Sequence, residues 1–249
     1  MERVSLNNKE ENEIVGVLSQ NNGSQIIFVL CHGFMASMET GFMPEVFGSL
    51  VEQDYNVFTF DFSGNGGSEG EIGDSSYVKE KEDLDSVLDF LEDKGYEEFC
   101  LISHSMGGGV SILKAAEDAR IRWLIDIAAP AHHEKIKERV FDEEKVEEAM
   151  KKGKTRLSIY GKKVSFNKKF FEDLEKINIL EAASNISIPT LIIHGSEDKT
   201  IPLEESGEIL QKLKGENSLQ IIAGANHRFK GKEYELVDKL LEWISRCVK

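Results

Sequence analysis

The stretch Cys100–Val110 constrains this chain most, because its pattern is that of a strand, a sharp turn and a helix with a serine at the turn. Ser105 has a small residue two positions before it, Ser103, and another two positions after it, Gly107. A serine presented above a sheet needs a strained strand-to-helix turn, where a bulky side chain at either of those places would collide with the neighbouring strand or helix. The stretch therefore predicts that Ser105 is a nucleophile.

The usual form of such a turn is G-x-S-x-G, so Ser103 departs from it, with little change in size. A helix that begins at about Ser105 points its free N–H groups and its positive dipole end at the reacting centre. We therefore predict that the Met106 N–H is one oxyanion donor. An ordinary glycine-rich strand-to-helix turn is the alternative explanation, and the other segments must decide between the two.

Length and charge limit the classes of protein to consider. The 249 residues suit a single α/β domain with a modest insertion. A formal net charge of -15 argues against nucleic acid and against an anionic membrane surface as partners. The first ten residues contain no apolar segment and no run is long enough to span a bilayer, so we expect a cytoplasmic protein.

The three cysteines are widely spaced and form no Cys-x-x-Cys pair; they are Cys31, Cys100 and Cys247. Two of them lie inside apolar, strand-like runs. The spacing indicates reduced structural thiols rather than metal or redox chemistry. We therefore expect no metal site, and the chemistry argued below needs no cofactor.

Strand-like apolar runs alternate with amphipathic helical stretches along most of the chain. The predicted strands are 14–19, 25–31, 56–60, 99–102, 123–128, 190–194 and 219–222, the first two forming a hairpin about the turn residues 21–23. The predicted helices are 40–54, 75–94, 105–118, 203–213 and 233–247. This alternation predicts an α/β fold with a mostly parallel central sheet and helices on both faces.

The rhythm changes between the strands at 123–128 and 190–194. Residues 131–150 and 168–184 have helical patterns, and two short strands at 155–159 and 162–165 turn at Tyr160 and Gly161. Because the stretch has too few apolar residues for its own core, we expect a small inserted cap at 130–185 on a core of 1–129 and 186–249. Residues 151–169 carry eight basic side chains and no acid, which would suit either an anionic substrate or a solvated surface.

Three residues with complementary chemistry follow separate predicted strands. Ser105, Asp198 and His227 each lie just past the C-terminal end of a strand, where open α/β sheets build their sites. Their order along the chain, serine, acid and histidine, is the order of the α/β-hydrolases. Other residues could fill the two partner roles; they are Asp126 and Glu197 for the acid, and His104, His132, His133 and His194 for the base.

Two glycine-containing loops complete the predicted site. The strand at 25–31 runs into His32, Gly33 and Phe34, and a glycine there allows the backbone to fold back over the sheet edge. The Phe34 N–H is therefore a candidate second oxyanion donor, with a plain strand-ending turn as the alternative. The glycine-rich loop 61–70 lacks the ending and register of a nucleotide-binding loop, which favours a tight turn near the site.

Together these motifs resemble the α/β-hydrolase fold serine hydrolases over nearly the whole chain. The resemblance rests on the 32–34 turn, the 61–70 loop, the Ser105 turn, the acid loop 194–198 and the base loop 224–227. Within that family the sequence is most similar to small bacterial esterases of the cinnamoyl and feruloyl esterase type. The 61–70 loop and the cap hairpin carry this narrower likeness, although the loop departs from the usual pattern at Ser63 and Asn65.

The roles follow from the chemistry of such a triad. His227 takes the proton of Ser105 as it attacks an ester carbonyl, and Asp198 fixes the imidazole tautomer. The N–H groups of Phe34 and Met106 hold the oxyanion. We also expect Tyr160, at the cap hairpin, either to hydrogen-bond a phenolic acyl group or to pack against Phe166 or Phe170.

The sequence thus predicts a serine carboxylic ester hydrolase that acts on small to medium acyl or hydroxycinnamoyl esters. Two alternatives stay open: an acyl thioester hydrolase, which the basic stretch would suit, and a catalytically inactive hydrolase fold that binds a ligand or partner. The expected partner is a small-molecule ester, and the oligomeric state, including a homodimer, is left open.

Overall fold

The computed structural model describes residues 1–21, 23–159 and 161–248, which fold around an eight-stranded sheet. The strands of the chain are β1 (Glu2–Asn7), β2 (Glu13–Ser19), β3 (Ile26–Cys31), β4 (Val57–Phe60), β5 (Glu98–His104), β6 (Ile121–Ile127), β7 (Lys154–Ile159), β8 (Lys162–Asn167), β9 (Thr190–Gly195) and β10 (Asn217–Ile222). The large sheet has the order β1-β2-β4-β3-β5-β6-β9-β10, and β7 and β8 form a separate hairpin. Within the described part of the large sheet, the pairs β1/β2 and β2/β4 are antiparallel and the other five are parallel, so the predicted mostly parallel sheet is confirmed.

Helices cover both faces of this sheet, as the sequence predicts. They are α1 (Met43–Glu52), α2 (Tyr77–Asp93), α3 (Met106–Ala115), α4 (Ile136–Val140), α5 (Glu143–Lys152), α6 (Lys168–Asp173), α7 (Ile179–Ala183), α8 (Leu203–Lys212) and α9 (Glu233–Cys247). Alternate residues of β3 face opposite ways: Val29 packs with α2 and α3, whereas Phe28 and Leu30 pack with α1 and α9. In the described ranges, no helix is both long and apolar enough to cross a bilayer.

The beginning of the sheet differs from the prediction. The hairpin between β2 and β3 is wrong, because β4 lies between them: Gly16 of β2 pairs with Phe60, and Phe28 of β3 pairs with Val57. Turn residues show only that the chain reverses, whereas sheet neighbours are chosen by side chains far apart in sequence. Strand β1 is an additional edge strand in which half-buried Val4 and Leu6 alternate with exposed residues.

The 130–185 segment is built around a group of aromatic side chains. Phe141, Phe166, Phe170 and Phe171 are buried, with neighbouring ring centroids 5.0–5.4 Å apart. Their cluster is continuous with the core beneath the sheet. The predicted helix 131–150 is interrupted where Phe141 adopts an extended backbone (φ -120°, ψ 141°), and its ring enters this cluster.

A short 3₁₀ turn at Ile72–Asp74 holds this segment against the rest of the chain. A Cβ atom on Gly73 would lie only 1.6 Å from the Ser165 carbonyl oxygen, so the two backbones touch directly. Asn167 donates a hydrogen bond to Asp74, and the Ser76 hydroxyl donates one to the Asp173 carboxylate at 2.8 Å.

Candidate active site

The turn at Ser105 joins β5 to α3 in a strained conformation. Ser105 has φ 54° and ψ -120°, a backbone conformation that residues other than glycine rarely adopt. A Cβ atom on Gly107 would lie 2.3 Å from the His32 carbonyl oxygen, so only glycine fits there. Ser103 is tolerated in place of the usual glycine because its buried hydroxyl is hydrogen-bonded to the hydroxyl of Ser111.

The structure brings Ser105, His227 and Asp198 into one chain of hydrogen bonds. The Ser105 hydroxyl lies 2.9 Å from His227 Nε2, and His227 Nδ1 lies 2.7 Å from Asp198 Oδ2. These distances fit a hydroxyl that donates to Nε2 and an Nδ1–H that donates to the carboxylate. The Asp198 side chain is fully buried, whereas His227 is 14% exposed, so the imidazole can reach both the acid and the solvent-facing side of the site.

The surroundings of Asp198 keep its carboxylate charged and fixed in place. Its Oδ1 accepts the N–H groups of Thr200 and Ile201 at 2.8 and 2.9 Å, and His194 Nε2 lies 3.2 Å from Oδ2. Burial alone would raise the pKa of Asp198. The hydrogen bonds from His194, His227 and the Ile201 N–H outweigh burial and lower that pKa well below its ordinary value.

The alternative acids lie elsewhere. Asp126 lies one residue before the end of β6 and accepts the Ala129 N–H at 3.1 Å, and burial raises its pKa to about 7. Glu197 is exposed to solvent. Neither carboxylate is bonded to His227, whereas Asp198 is, so Asp198 holds the place next to the imidazole.

The alternative histidines have their own partners. His194 is bonded to the Ser206 hydroxyl at 2.6 Å through Nδ1, and its Nε2 contacts the Asp198 carboxylate. His132 Nε2 lies 2.9 Å from Glu208, and His133 Nε2 donates to the Leu174 carbonyl at 2.9 Å. Of the sequence's candidate bases, only His227 is placed against the Ser105 hydroxyl.

His104 contributes a contact that the sequence pattern does not reveal. Its Nε2–H donates to the His227 carbonyl oxygen at 2.9 Å, and the two rings lie 4.8 Å apart. Burial, followed by the charge of His227, lowers the pKa of His104 to about 3, so this ring is neutral and keeps its hydrogen bond. The contact spans 123 positions in sequence, which explains why periodicity could not indicate it.

The turn after β3 lies directly beside Ser105. A Cβ atom on Gly33 would be 3.1 Å from the Ser105 Cβ, so the glycine allows this approach. In the part of the chain that the structure describes, the Phe34 N–H has no backbone acceptor. Met106 opens α3, where N–H groups lack intrahelical acceptors. Both predicted donors are therefore available for an oxyanion.

The glycine-rich loop 61–70 is a support for this turn. The Asp61 carboxylate accepts the Met38 N–H and the Gly67 N–H, both at 2.7 Å. A Cβ atom on Gly66 would lie 1.9 Å from Asp61 Oδ2, which explains the glycine. Some of the loop's N–H groups bond within the loop and others bond to neighbouring residues such as His32 and Asp83. This use of its N–H groups agrees with a tight turn rather than a phosphate cradle.

Ser105 opens into a mainly apolar cavity of about 120 Å³. An engineered cavity of about 150 Å³ holds benzene, so this space suits one aromatic ring or a short chain.

Arg139 and Arg228 line this cavity, whereas none of its described lining residues carries a carboxylate. Arg139 forms an ion pair with the buried Glu205 of α8. Tyr160, the predicted substrate contact, lies outside the described residues.

Comparisons with known proteins identify the family to which this chain is similar. The family model described as serine aminopeptidase, S33, matches residues 23–176. "Putative esterase/lipase 2" of Mycoplasma genitalium is 26% identical over 224 residues, 81% of this chain and 82% of the relative. The mouse mitochondrial palmitoyl-protein thioesterase ABHD10 is 27% identical over 158 residues, 62% of this chain and 52% of the relative.

Among solved structures, Est1E of Butyrivibrio proteoclasticus with bound ferulic acid has the same fold. It superposes with a TM-score of 0.87 at 20% sequence identity, covering 98% of this chain and 99% of Est1E. This likeness confirms the predicted α/β-hydrolase fold. Because the family model spans more than half of the chain, the protein belongs to the serine aminopeptidase S33 family of α/β-hydrolase fold serine hydrolases.

Proposed function

We propose that this protein is a carboxylic ester hydrolase in which Ser105 is the nucleophile. The observation that carries the proposal is the hydrogen-bond chain from Ser105 through His227 to Asp198 beside an apolar cavity. His227 is the general base, and Asp198 holds it in the Nδ1–H tautomer. The Phe34 and Met106 N–H groups are the oxyanion donors.

The proposed reaction has two halves. Ser105 Oγ attacks the ester carbonyl while His227 Nε2 takes its proton, and the oxyanion that forms is stabilised by the two backbone donors. His227 then returns the proton to the leaving alcohol, which leaves an acyl group on Ser105. A water molecule, deprotonated by His227, then attacks the acyl carbonyl. The bond between the acyl carbon and Ser105 Oγ breaks, His227 returns the proton to Oγ, and the free acid leaves.

The size and polarity of the cavity favour small to medium acyl groups, including one-ring groups of the hydroxycinnamoyl type. The bound ferulic acid in Est1E and the esterase/lipase name of the mycoplasma relative support an ester substrate. We assign the 130–185 segment as a cap over the core of residues 1–129 and 186–249, because its aromatic cluster packs on Phe34 at 5.9 and 6.0 Å. Tyr160 stays a proposed contact of this cap.

An ester substrate is favoured over the peptide that the family name suggests. An aminopeptidase must hold the positively charged amino terminus of its substrate, which calls for a carboxylate in the site. The described lining of this cavity contains two arginines and no carboxylate. A free ammonium group would therefore find no carboxylate among the described lining residues to balance its charge.

Acyl thioester hydrolysis is the second candidate. The name of the mouse relative favours it, and so do the arginines in the cavity. Lys154, Arg156 and Lys163 are also exposed on the β7–β8 hairpin, where they could attract an anionic leaving group. This function predicts turnover of an acyl-CoA with a steep dependence on salt.

A panel of substrates separates these functions. We would compare kcat/KM for methyl ferulate, a short butyrate ester, butyryl-CoA and an aminoacyl anilide, with Ser105→Ala as the control throughout. The proposal expects ester turnover that Ser105→Ala abolishes. Preference for butyryl-CoA with strong salt dependence would replace it with the thioester function, and anilide preference would restore the aminopeptidase. No turnover of any of the four would favour an inactive binding protein.

A further inference from the structure

The hydroxyl of Tyr77 is a polar group of the cavity that the proposed reaction does not use. Tyr77 is the first residue of α2 and lines the same cavity as Ser105. Its side chain is fully buried, and its hydroxyl has no hydrogen-bond partner among the described residues. Because a buried hydroxyl without a partner costs stability, native proteins keep few of them, and those at a binding cavity point to a partner on the ligand.

Close packing fixes the Tyr77 ring one helical turn from the nucleophile. A Cβ atom on Gly109 would lie 2.8 Å from Tyr77 Cε1, so this glycine lets the ring lie against α3. The His133 ring contacts it edge-on at 6.0 Å. Gly109 follows Ser105 by four residues, a rise of about 6 Å along a helix. An acyl group only a few bonds long, attached to Ser105, spans such a distance.

The electrostatics of the site define which group the hydroxyl can bind. Burial raises the pKa of Tyr77 far above its ordinary value, Glu80 and Glu205 raise it further, and Arg139 lowers it. The phenol is therefore neutral and can both donate and accept. Tyr77 and Arg139 both line this cavity. A neutral phenol in an apolar wall suits a neutral hydroxyl rather than an ionised carboxylate.

We infer that Tyr77 is a specificity-determining residue, whose hydroxyl binds a hydroxyl group at the far end of the substrate's acyl chain. The inference rests on the proposed ester hydrolase function and narrows its substrates to esters of hydroxylated acyl groups about one ring long. Such a ligand supplies the missing hydrogen bond and fills the apolar space between Tyr77 and Ser105.

The test compares two esters that differ only in the distal hydroxyl, methyl 4-hydroxycinnamate and methyl cinnamate. We would measure kcat/KM for both, and the melting temperature, in the wild type, Tyr77→Phe and Tyr96→Phe. Tyr96 is the matched control, because this buried residue does not line the cavity and its hydroxyl already accepts a hydrogen bond from Gln20 at 3.1 Å.

We expect the wild type to prefer the hydroxylated ester by roughly three- to tenfold, the range that one neutral hydrogen bond gives. Tyr77→Phe should remove this preference while its melting temperature stays the same or rises. Tyr96→Phe should keep the preference and lower the melting temperature. Equal rates for both esters in the wild type, or a preference that survives Tyr77→Phe, would overturn the inference.

A drop in melting temperature of Tyr77→Phe as large as that of Tyr96→Phe would also overturn it, since the hydroxyl would then have a structural partner. Failure of the underlying function gives a different result, because the wild type would then hydrolyse neither these esters nor a butyrate ester. Hydrolysis of the butyrate ester alone would keep the function and reject the role of Tyr77.

Discussion

The backbone of Ser105 holds its side chain in a conformation that costs on the order of 1–3 kcal/mol. With φ 54° and ψ -120°, it lies between two glycines that allow close approach: Gly107, in the same turn, lies against the His32 carbonyl, and Gly33, in the turn after β3, approaches the Ser105 side chain. The strain presents the hydroxyl to His227 at 2.9 Å without any movement of the backbone. The strained turn therefore lowers the stability of the fold but holds the hydroxyl in position for reaction.

Asp198 provides a test of how the imidazole is held. In Asp198→Asn the side chain keeps its shape but loses its negative charge. The amide therefore no longer favours the His227 tautomer that carries its proton on Nδ1, and the tautomer protonated on Nε2 is favoured instead. We expect kcat to fall by about 10⁴-fold, as in the serine protease triad. Steady-state kinetics on the best ester would show this, with Glu197→Gln, an exposed neighbour, as the control. A loss below tenfold would mean that another acid orients His227.

At the level of single residues, the sequence predicts the three side chains of the hydrogen-bond chain because each follows a strand of a parallel sheet. Because parallel strands end at the same edge of the sheet, the residues that follow these three strands lie close together. The contact of His104 with the His227 carbonyl, and the place of Tyr77 on the cavity wall, depend on packing between elements that are far apart in sequence. No local pattern carries that information.

The 3₁₀ turn at Ile72–Asp74 is the element that fastens the 130–185 segment. Gly73→Ala would place a methyl group 1.6 Å from the Ser165 carbonyl oxygen, a contact that only a shift of the β7–β8 hairpin can relieve. We expect a loss of about 1–3 kcal/mol in stability. We also expect a rise in KM, because Phe166 of the hairpin packs on Phe34, which lines the cavity. Thermal melts and ester kinetics would measure both effects.

Gly207→Ala is the matched control for this change. Gly207 lies in α8, where a Cβ atom would meet nothing within 4 Å. The exchange should stabilise the protein by up to about 1 kcal/mol, since alanine favours a helix more than glycine does. If Gly73→Ala behaved like Gly207→Ala, the hairpin would not be fastened at this turn.

Element by element, the sequence predicts most strands and helices to within a few residues, and helix α9 at its observed bounds. The sequence prediction fails for features that depend on contacts between elements far apart in the chain. The order β2-β4-β3 depends on Phe58, which fits against Gly16: a Cβ atom there would lie 2.4 Å from the Phe58 ring. Similarly, helix 168–184 divides because Asn178 caps α7 by accepting the Glu181 N–H at 3.0 Å.

For the whole molecule, two buried carboxyl groups should make stability depend on pH. Burial, together with the charge of Asp83, raises the pKa of Glu80 to about 8, and burial raises that of Asp126 to about 7. Each group binds its proton more tightly in the folded state than in the unfolded chain. Their contribution to stability is therefore complete below their ordinary pKa values near 4 and is lost as pH rises through 7 and 8.

Glu80→Gln isolates the larger of these two contributions. A glutamine can still accept from the Ser75 hydroxyl, as Glu80 does at 2.6 Å, but it does not ionise. We expect the melting temperature of the wild type to fall between pH 5 and pH 9, and that of Glu80→Gln to fall less steeply. Glu147→Gln, on the exposed surface of α5, should behave like the wild type. Parallel slopes for all three would show that Glu80 is already ionised in the folded protein.

The central claim is that Ser105 is the nucleophile, and its most direct test is intact-protein mass spectrometry after reaction with a fluorophosphonate. We predict one adduct per chain, on the peptide that contains Ser105, no adduct in Ser105→Ala, and slower labelling when methyl ferulate is present. Ser105→Ala should melt at the wild-type temperature, which would show that its lack of labelling comes from the missing hydroxyl and not from unfolding. An unlabelled wild type, or an adduct that persists in Ser105→Ala, would contradict the account.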